Sequence, residues 1–228
     1  MLLHIAGVLD AKALAHMRER LAGAGDSWVD GRATAGHQGA EVKHNEQIDE
    51  ASAVAAELGD LVLGGLERNP RFISAALPNR VYPPMFNRYR PGMDFGAHVD
   101  GAVRLLPGRA DKIRTDVSAT LFLNAPEDYD GGELFIEDSY GAHAVKLPAG
   151  DMVLYPASSV HRVAPVTRGV RLASFFWVES LVRDDAQRSI LHQLDQSIQR
   201  LIASNADAEA RVTLTGCYHN LLRMWSST

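Results

Sequence analysis

Apolar positions along this chain change their period twice. Between residues 11 and 22, Leu14, Met17 and Leu21 recur at three- and four-residue spacing, and Asp10 stands where a helix N-cap is needed. Ile48, Val54, Leu58, Leu61, Val62 and Leu66 predict a second amphipathic helix over 47–68, ended by Asn69-Pro70. Residues 1–9 read as a short apolar strand, and the Gly-, Asp- and Ala-rich stretch 23–39 as loop with at most one strand. From about Ala75 to Ser180 the pattern breaks into short apolar runs separated by Gly, Pro, Asn and Asp. The runs 80–89, 95–100, 117–124, 133–137, 143–147, 152–155, 160–165 and 170–178 predict strands. Short strands at this spacing suggest a two-sheet jelly roll. Beyond Ser180 the helical period returns, in a helix opened by Asp184 and Asp185 and another over about 207–225.

The expected fold class is therefore α+β, with a jelly-roll core at 77–180. A support region of helix and strand at 1–76 precedes it, and a helical region at 181–228 follows. A chain of 228 residues is long enough to bury a real core. Its formal net charge of −5 offers no basic footprint for nucleic acid. No run approaches the length of a membrane span, and the first residues lack a signal pattern. The lone cysteine, Cys217, excludes an intrachain disulfide framework and fits a reducing cytoplasm; it is expected to be a small buried residue. The apolar C-terminal helices are expected to support the barrel or to form a homo-oligomer contact.

Chemistry concentrates in Tyr89-Arg-Pro-Gly-Met-Asp-Phe-Gly-Ala-His98-Val-Asp100. On an extended strand His98 and Asp100 project from one face, supplying two ligands of a 2-His-1-carboxylate facial triad. His161 and His143 compete to be the third. Zinc in a structural site would draw on thiolates, and one cysteine offers no cluster. Arg171, at the head of the apolar run 170–178, has the planar fork that grips a carboxylate through two hydrogen bonds.

Together with Thr120-Leu-Phe-Leu-Asn124, Gly131-Gly-Glu-Leu134, Gly150-Asp-Met-Val-Leu-Tyr155 and His161 through Arg171, this stretch resembles the Fe(II)/2-oxoglutarate dioxygenases of the prolyl-4-hydroxylase type. Within them it is most similar to the bacterial PKHD-type hydroxylases. The resemblance implies a double-stranded β-helix core and a hydroxylase that couples substrate oxidation to decarboxylation of 2-oxoglutarate to succinate. It implies Fe(2+) held by His98, Asp100 and His161, with 2-oxoglutarate and O2 as co-substrates and L-ascorbate as an accessory. Arg171 would hold the distal carboxylate of 2-oxoglutarate, helped by Tyr89, with Thr120 a further candidate in that pocket. Prolyl hydroxylases commonly carry Lys where this chain has Arg171, which favours the PKHD branch over a collagen-like prolyl substrate. Arg168 falls in a predicted turn, and Arg162 would point away from the metal.

Two further stretches carry alternatives. Lys43-His44-Asn45-Glu46-Gln47 is either a solvated cluster ahead of the helix or a segment that reaches over the site to touch substrate. Residues 101–115, with Arg104, Arg109, Lys112 and Arg114, are either a solvated loop or a mobile lid. The expected substrate is a small molecule or an amino-acid-type group. Two other functions fit the same ligands: a non-catalytic metal or oxo-acid sensor, and a cupin-like isomerase or hydrolase using the metal as a Lewis acid.

Overall fold

Strand β10 (Val117–Phe122) is buried at all six positions, which requires cover on both of its faces. The computed structural model, which describes residues 1–205 and 207–227, supplies that cover as helices outside and a second sheet inside. The N-terminal part runs β1 (Leu3–Ile5), α1 (Ala11–Ala22), β2 (Trp28–Asp30), α2 (His37–Glu41), β3 (Lys43–His44), β4 (Glu46–Ile48), α3 (Ala53–Glu67) and α4 (Pro70–Ala76). Next come β5 (Pro78–Val81), β6 (Met85–Tyr89), β7 (Asp94–His98), β8 (Val103–Leu105), β9 (Lys112–Arg114) and then β10. The chain continues through β11 (Tyr129–Gly131), β12 (Leu134–Asp138), β13 (Gly141–Val145), β14 (Met152–Pro156), β15 (His161–Val163), β16 (Val166–Gly169) and β17 (Arg171–Ser180). Helices α5 (Asp185–Ala203) and α6 (Ala208–Trp225) close it.

The larger sheet has the order β1-β14-β10-β17-β6-β4-β2, with β5 added to the end of β17; the facing sheet has the order β13-β12-β15-β7-β3. All pairings are antiparallel, as a jelly roll requires. Residues of β10 and β17 alternate between the two faces of the larger sheet. Ala119, Leu121, Phe176 and Val178 meet Met17, Leu58, Val62 and Phe72 of the helices. Burying each of Met17, Leu58 and Val62, which are 0% exposed, contributes about 1.5–3 kcal/mol. The inward face, with Tyr89, Phe122, Leu134, Ile136, Val153, Tyr155 and Val163, forms a second apolar cluster between the sheets.

Several expectations shift at element ends. The helix expected over 47–68 begins only at Ala53, where the Ser52 hydroxyl accepts from Ala55 N. Gln47 and Ile48 belong instead to β4, held between β2 and β6. Ile48 is buried in either conformation, so its apolar character could not separate helix from strand. Asn69-Pro70 does end α3, yet it also starts α4: Asn69 caps Phe72 N and Pro70 occupies the first turn. The run 80–89 is split into β5 and β6, which both pair with β17. Residues 101–115 are not one open loop but contain the β8–β9 hairpin. Cys217 is exposed rather than buried, because α6 packs on α5 without fully burying any residue. Among the described residues no helix is long and apolar enough to cross a membrane.

Candidate active site

Strand β7 carries an irregularity that shapes the site. Phe95 stands opposite Val163 and His98 opposite His161, so β7 spends an extra residue, around Gly96 and Ala97, against β15. A side chain at Gly96 would strike Val42, whose Cβ lies 2.7 Å from where the new Cβ would be. The result is that the His98 imidazole turns back on its own strand and Nδ1 donates to Gly96 O at 2.8 Å. His161 repeats the arrangement, with Nδ1 donating to Ser159 O at 3.0 Å. A carbonyl only accepts, so both rings donate from Nδ1 and present Nε2 to the cavity.

Asp100 completes the cluster from just beyond β7. Its Oδ2 accepts from the Ser118 hydroxyl at 2.6 Å and lies 3.8 Å from His161 Nε2. One ligand atom from each of His98, Asp100 and His161 falls within 4.8 Å of the others. Burial, and next the facing His161, push the His98 imidazole down to about 4, so it is neutral at ordinary pH. Phe95 stacks on the His98 ring at 3.6 Å between centroids, and Tyr155 meets the His161 ring edge-on at 5.1 Å. Two imidazoles held through Nδ1 and one oriented carboxylate suit a divalent iron. His143 is not part of this group: it sits on β13, where Nε2 bonds Asp138 Oδ2 at 2.9 Å at the surface.

All three side chains line a cavity of ≈ 260 Å³ between the sheets. Its deep end holds Arg171, which is 1% exposed and flanked by the rings of Tyr89 at 5.3 Å and Phe122 at 5.4 Å. Arg171 Nε has no hydrogen-bond partner, and no ion pair joins the guanidinium to a carboxylate among the described residues. A buried cation left this way costs several kcal/mol, roughly, unless a ligand supplies the counter-charge. Gly132 makes the space. Its φ is +66°, and a Cβ there would lie 3.1 Å from Arg171 Cδ and 2.9 Å from Val166 Cγ2.

Tyr89 is the register partner of Arg171 across β6 and β17, and burial pushes its hydroxyl up to about 12. Burial likewise raises Tyr155 well above its ordinary value. Both remain protonated donors in the site. Thr120, opposite Phe175, lines the same cavity. Arg168 and Arg162 lie elsewhere: the first pairs with Asp130 at 2.7 Å, and the second covers the Phe135 ring at 3.9 Å.

The opposite, outer end is built from segments with weaker sequence signals. Thr34 and Gln38 line it from 31–41, Lys43 and Gln47 from β3 and β4, and Arg104 from the β8–β9 hairpin. Of the two readings of residues 43–47, the structure thus has Lys43 and Gln47 lining the cavity rather than facing solvent, while His44 stays at the surface on Asp94. The hairpin borders the cavity mouth, where Arg104 covers the Trp177 ring at 4.2 Å. Ser118 is the residue the sequence reading missed. Its signal was available: Ser118 and Thr120 alternate with apolar residues along β10, which marks a polar inward face.

Comparison with known proteins agrees with this architecture. Residues 84–179 match the family model of the 2OG-Fe(II) oxygenase superfamily, and residues 185–227 match that of the PKHD-type hydroxylase C-terminal domain. The chain is 67% identical to a PKHD-type hydroxylase of Burkholderia ambifaria, with all of both chains covered. A crystal structure of a Pseudomonas putida prolyl-4-hydroxylase shares the fold at 24% identity and a TM-score of 0.50, covering 78% of this chain and 92% of that one. SnoK, a non-heme alpha ketoglutarate dependent carbocyclase from nogalamycin biosynthesis, shares it at 16% identity and a TM-score of 0.56, over 79% and 80% of the two chains. Full-length identity at this level settles the lineage: the chain belongs to the PKHD-type hydroxylases of the 2OG-Fe(II) oxygenase superfamily.

Proposed function

We propose that this protein is an Fe(II)- and 2-oxoglutarate-dependent hydroxylase in which His98, Asp100 and His161 hold the metal and Arg171 anchors 2-oxoglutarate. The observation that carries the reading is the pairing, in one cavity, of the three-residue cluster with a buried guanidinium that has no counter-ion among the described residues. A cupin-like Lewis-acid site has no use for such a guanidinium. When bound, Fe(II) would activate O2, whose four reducing electrons come two from the decarboxylation of 2-oxoglutarate to succinate and CO2 and two from the substrate C–H bond that is hydroxylated.

The chain's own contribution is orientation and exclusion of water. Gly96 O and Ser159 O fix both imidazoles, and the Ser118 hydroxyl fixes the Asp100 carboxylate beside them. Arg171 receives the distal carboxylate of 2-oxoglutarate, and the Tyr89 hydroxyl donates a further hydrogen bond there. Thr120 belongs to the same pocket. Residues 77–180 act as the catalytic core, with 1–76 and 181–228 as flanking regions; L-ascorbate belongs to the same reading as a reductant. The substrate is a small molecule or an amino-acid-type group met in the cytoplasm.

The test is an anaerobic titration of 2-oxoglutarate into Fe(II)-loaded protein, followed by the metal-to-ligand charge-transfer band. A band that is lost in His161→Ala, and needs far more ligand in Arg171→Ala, is the expected result. No band in folded, metal-loaded wild type would overturn the assignment. A sensor would show the band but release no succinate with any substrate.

A further inference from the structure

The cavity has a second cation at its outer end. Lys43 is 4% exposed, and its Nζ lies 5.1 Å from the Phe95 ring centroid and 5.8 Å from that of Phe175. It donates to Thr34 Oγ1 at 3.3 Å, and no carboxylate among the described residues pairs with it. Thr34 Oγ1 also contacts Gly31 O and Gln47 Oε1. Gln47 is 0% exposed, and its Nε2 has no partner. Arg104 reaches the same corner from the hairpin: Nη2 donates to Thr34 O at 3.4 Å, and the buried Nε is unpartnered.

A neutral hydroxyl is poor return for burying an ammonium group, since Met or Gln would fill the space without the desolvation cost. Burial, then the charge of Arg104, bring Lys43 down to about 8, while Asp100, Glu50 and Asp30 act in the opposite direction. Lys43 and Arg171 approach the cavity from different sheets, Arg171 on β17 of the larger sheet and Lys43 on β3 at the edge of the facing one.

We propose that this outer corner binds a carboxylate of the primary substrate, with Lys43 as counter-ion and Gln47 Nε2 and Arg104 Nε as hydrogen-bond donors. The inference rests on assigning the deep, Arg171 end to 2-oxoglutarate. A monoanion fits better than a phosphate, because the positive charges of Lys43 and Arg104 are partly offset by Asp100 nearby, and Gln47 is neutral. The rings of Phe95, Phe175 and Trp177 also line the cavity and give it apolar wall suited to an apolar body. The substrate class is thus a monocarboxylate with an apolar side chain, such as an amino acid or its N-acyl derivative.

The experiment uses the whole protein loaded with Zn(II) and N-oxalylglycine in place of Fe(II) and 2-oxoglutarate, so that nothing turns over. Calorimetry is run with 3-phenylpropionate, hexanoate, N-acetyl-leucine and N-acetyl-phenylalanine, each beside its primary amide. At least one acid should bind about tenfold or more tightly than its amide, as expected when a charge-assisted contact is removed. Lys43→Met should abolish that preference while N-oxalylglycine affinity stays within about twofold. Arg104→Gln, on the hairpin, should reduce the same preference several-fold, and it serves if Lys43→Met folds poorly. Acids and amides binding alike, no acid binding at all, or a preference that survives both substitutions would overturn the proposal. So would a Lys43→Met protein that loses N-oxalylglycine instead. Failure of the underlying assignment looks different: N-oxalylglycine would then bind Arg171→Met as tightly as wild type.

Discussion

The two ends of the cavity are built differently. Arg171 and Tyr89 face each other in the β6–β17 ladder, which runs from Arg171↔Tyr89 to Phe175↔Met85 inside the larger sheet. Lys43 sits on a two-residue edge strand, Thr34 ends a single 3-10 turn, and Arg104 rides on a three-residue hairpin strand. A long central ladder holds its side chains to a fixed geometry, whereas short edge segments open locally at little cost. The deep end is therefore suited to one unchanging small ligand, and the outer end to a ligand that must enter, be fitted and leave.

Substitutions can break this contrast, and the largest effects belong to the metal cluster between the ends. His161→Ala or Asp100→Ala should reduce succinate release to background and abolish stoichiometric Fe(II) binding, both read in the same assay series. Arg171→Ala is expected to weaken 2-oxoglutarate by about 10- to 150-fold, the equivalent of roughly 1.5–3 kcal/mol, with metal binding retained. An unchanged 2-oxoglutarate affinity would remove Arg171 from the anchor role. Gly132→Ala should act at the same end through shape. A Cβ at φ +66° between Arg171 and Val166 should cost about 1–3 kcal/mol in urea unfolding and displace the guanidinium.

Ser118→Ala should have a smaller effect, lowering metal affinity by about tenfold as Asp100 loses its hydrogen bond; competition with a chelator measures it. The smallest effect concerns the outer end and its pH dependence. Lys43 is held at about 8 in the folded protein against an ordinary 10.5, so the unfolded chain binds the extra proton between those values. Wild-type stability should thus rise relative to Lys43→Met from about pH 8 to pH 10.5, and the difference should be flat below pH 8. Parallel urea titrations across this range check the sign.

The three-residue cluster and the deep end were also more legible in the sequence than the outer end. His98-Val-Asp100 needs only the two-residue period of a strand, and Arg171 opens a run whose apolar pattern is unmistakable. Arg171 sits in a long ladder, which leaves a periodic trace, and His98 on a strand of five residues. The third ligand was harder, because His143 and His161 both occupy apolar strand patterns; only pairing places His161 opposite His98 and His143 at an edge. Lys43 and Gln47 lie on strands of two and three residues, too short for any period to emerge. Gln47 and Ile48 read as the start of a helix because nothing local opposes that choice; pairing with Trp28 and Val29 decides it. Ser159 and Gly96 act through backbone carbonyls, which no side-chain pattern can reveal.

The opposition of His98 and His161 on adjacent strands has a consequence for folding. Side chains alternate along a strand, so a slip of one residue in β15 would turn His161 to the other face and bring Arg162 inward. A misaligned chain has no three-donor cluster and gains nothing from iron, whereas the correctly aligned chain gains the whole binding free energy. On the proposed assignment the metal would proofread the assembly of the sheet around it: iron supplied during refolding should raise the yield of one alignment, and a chelator should let mispaired chains accumulate.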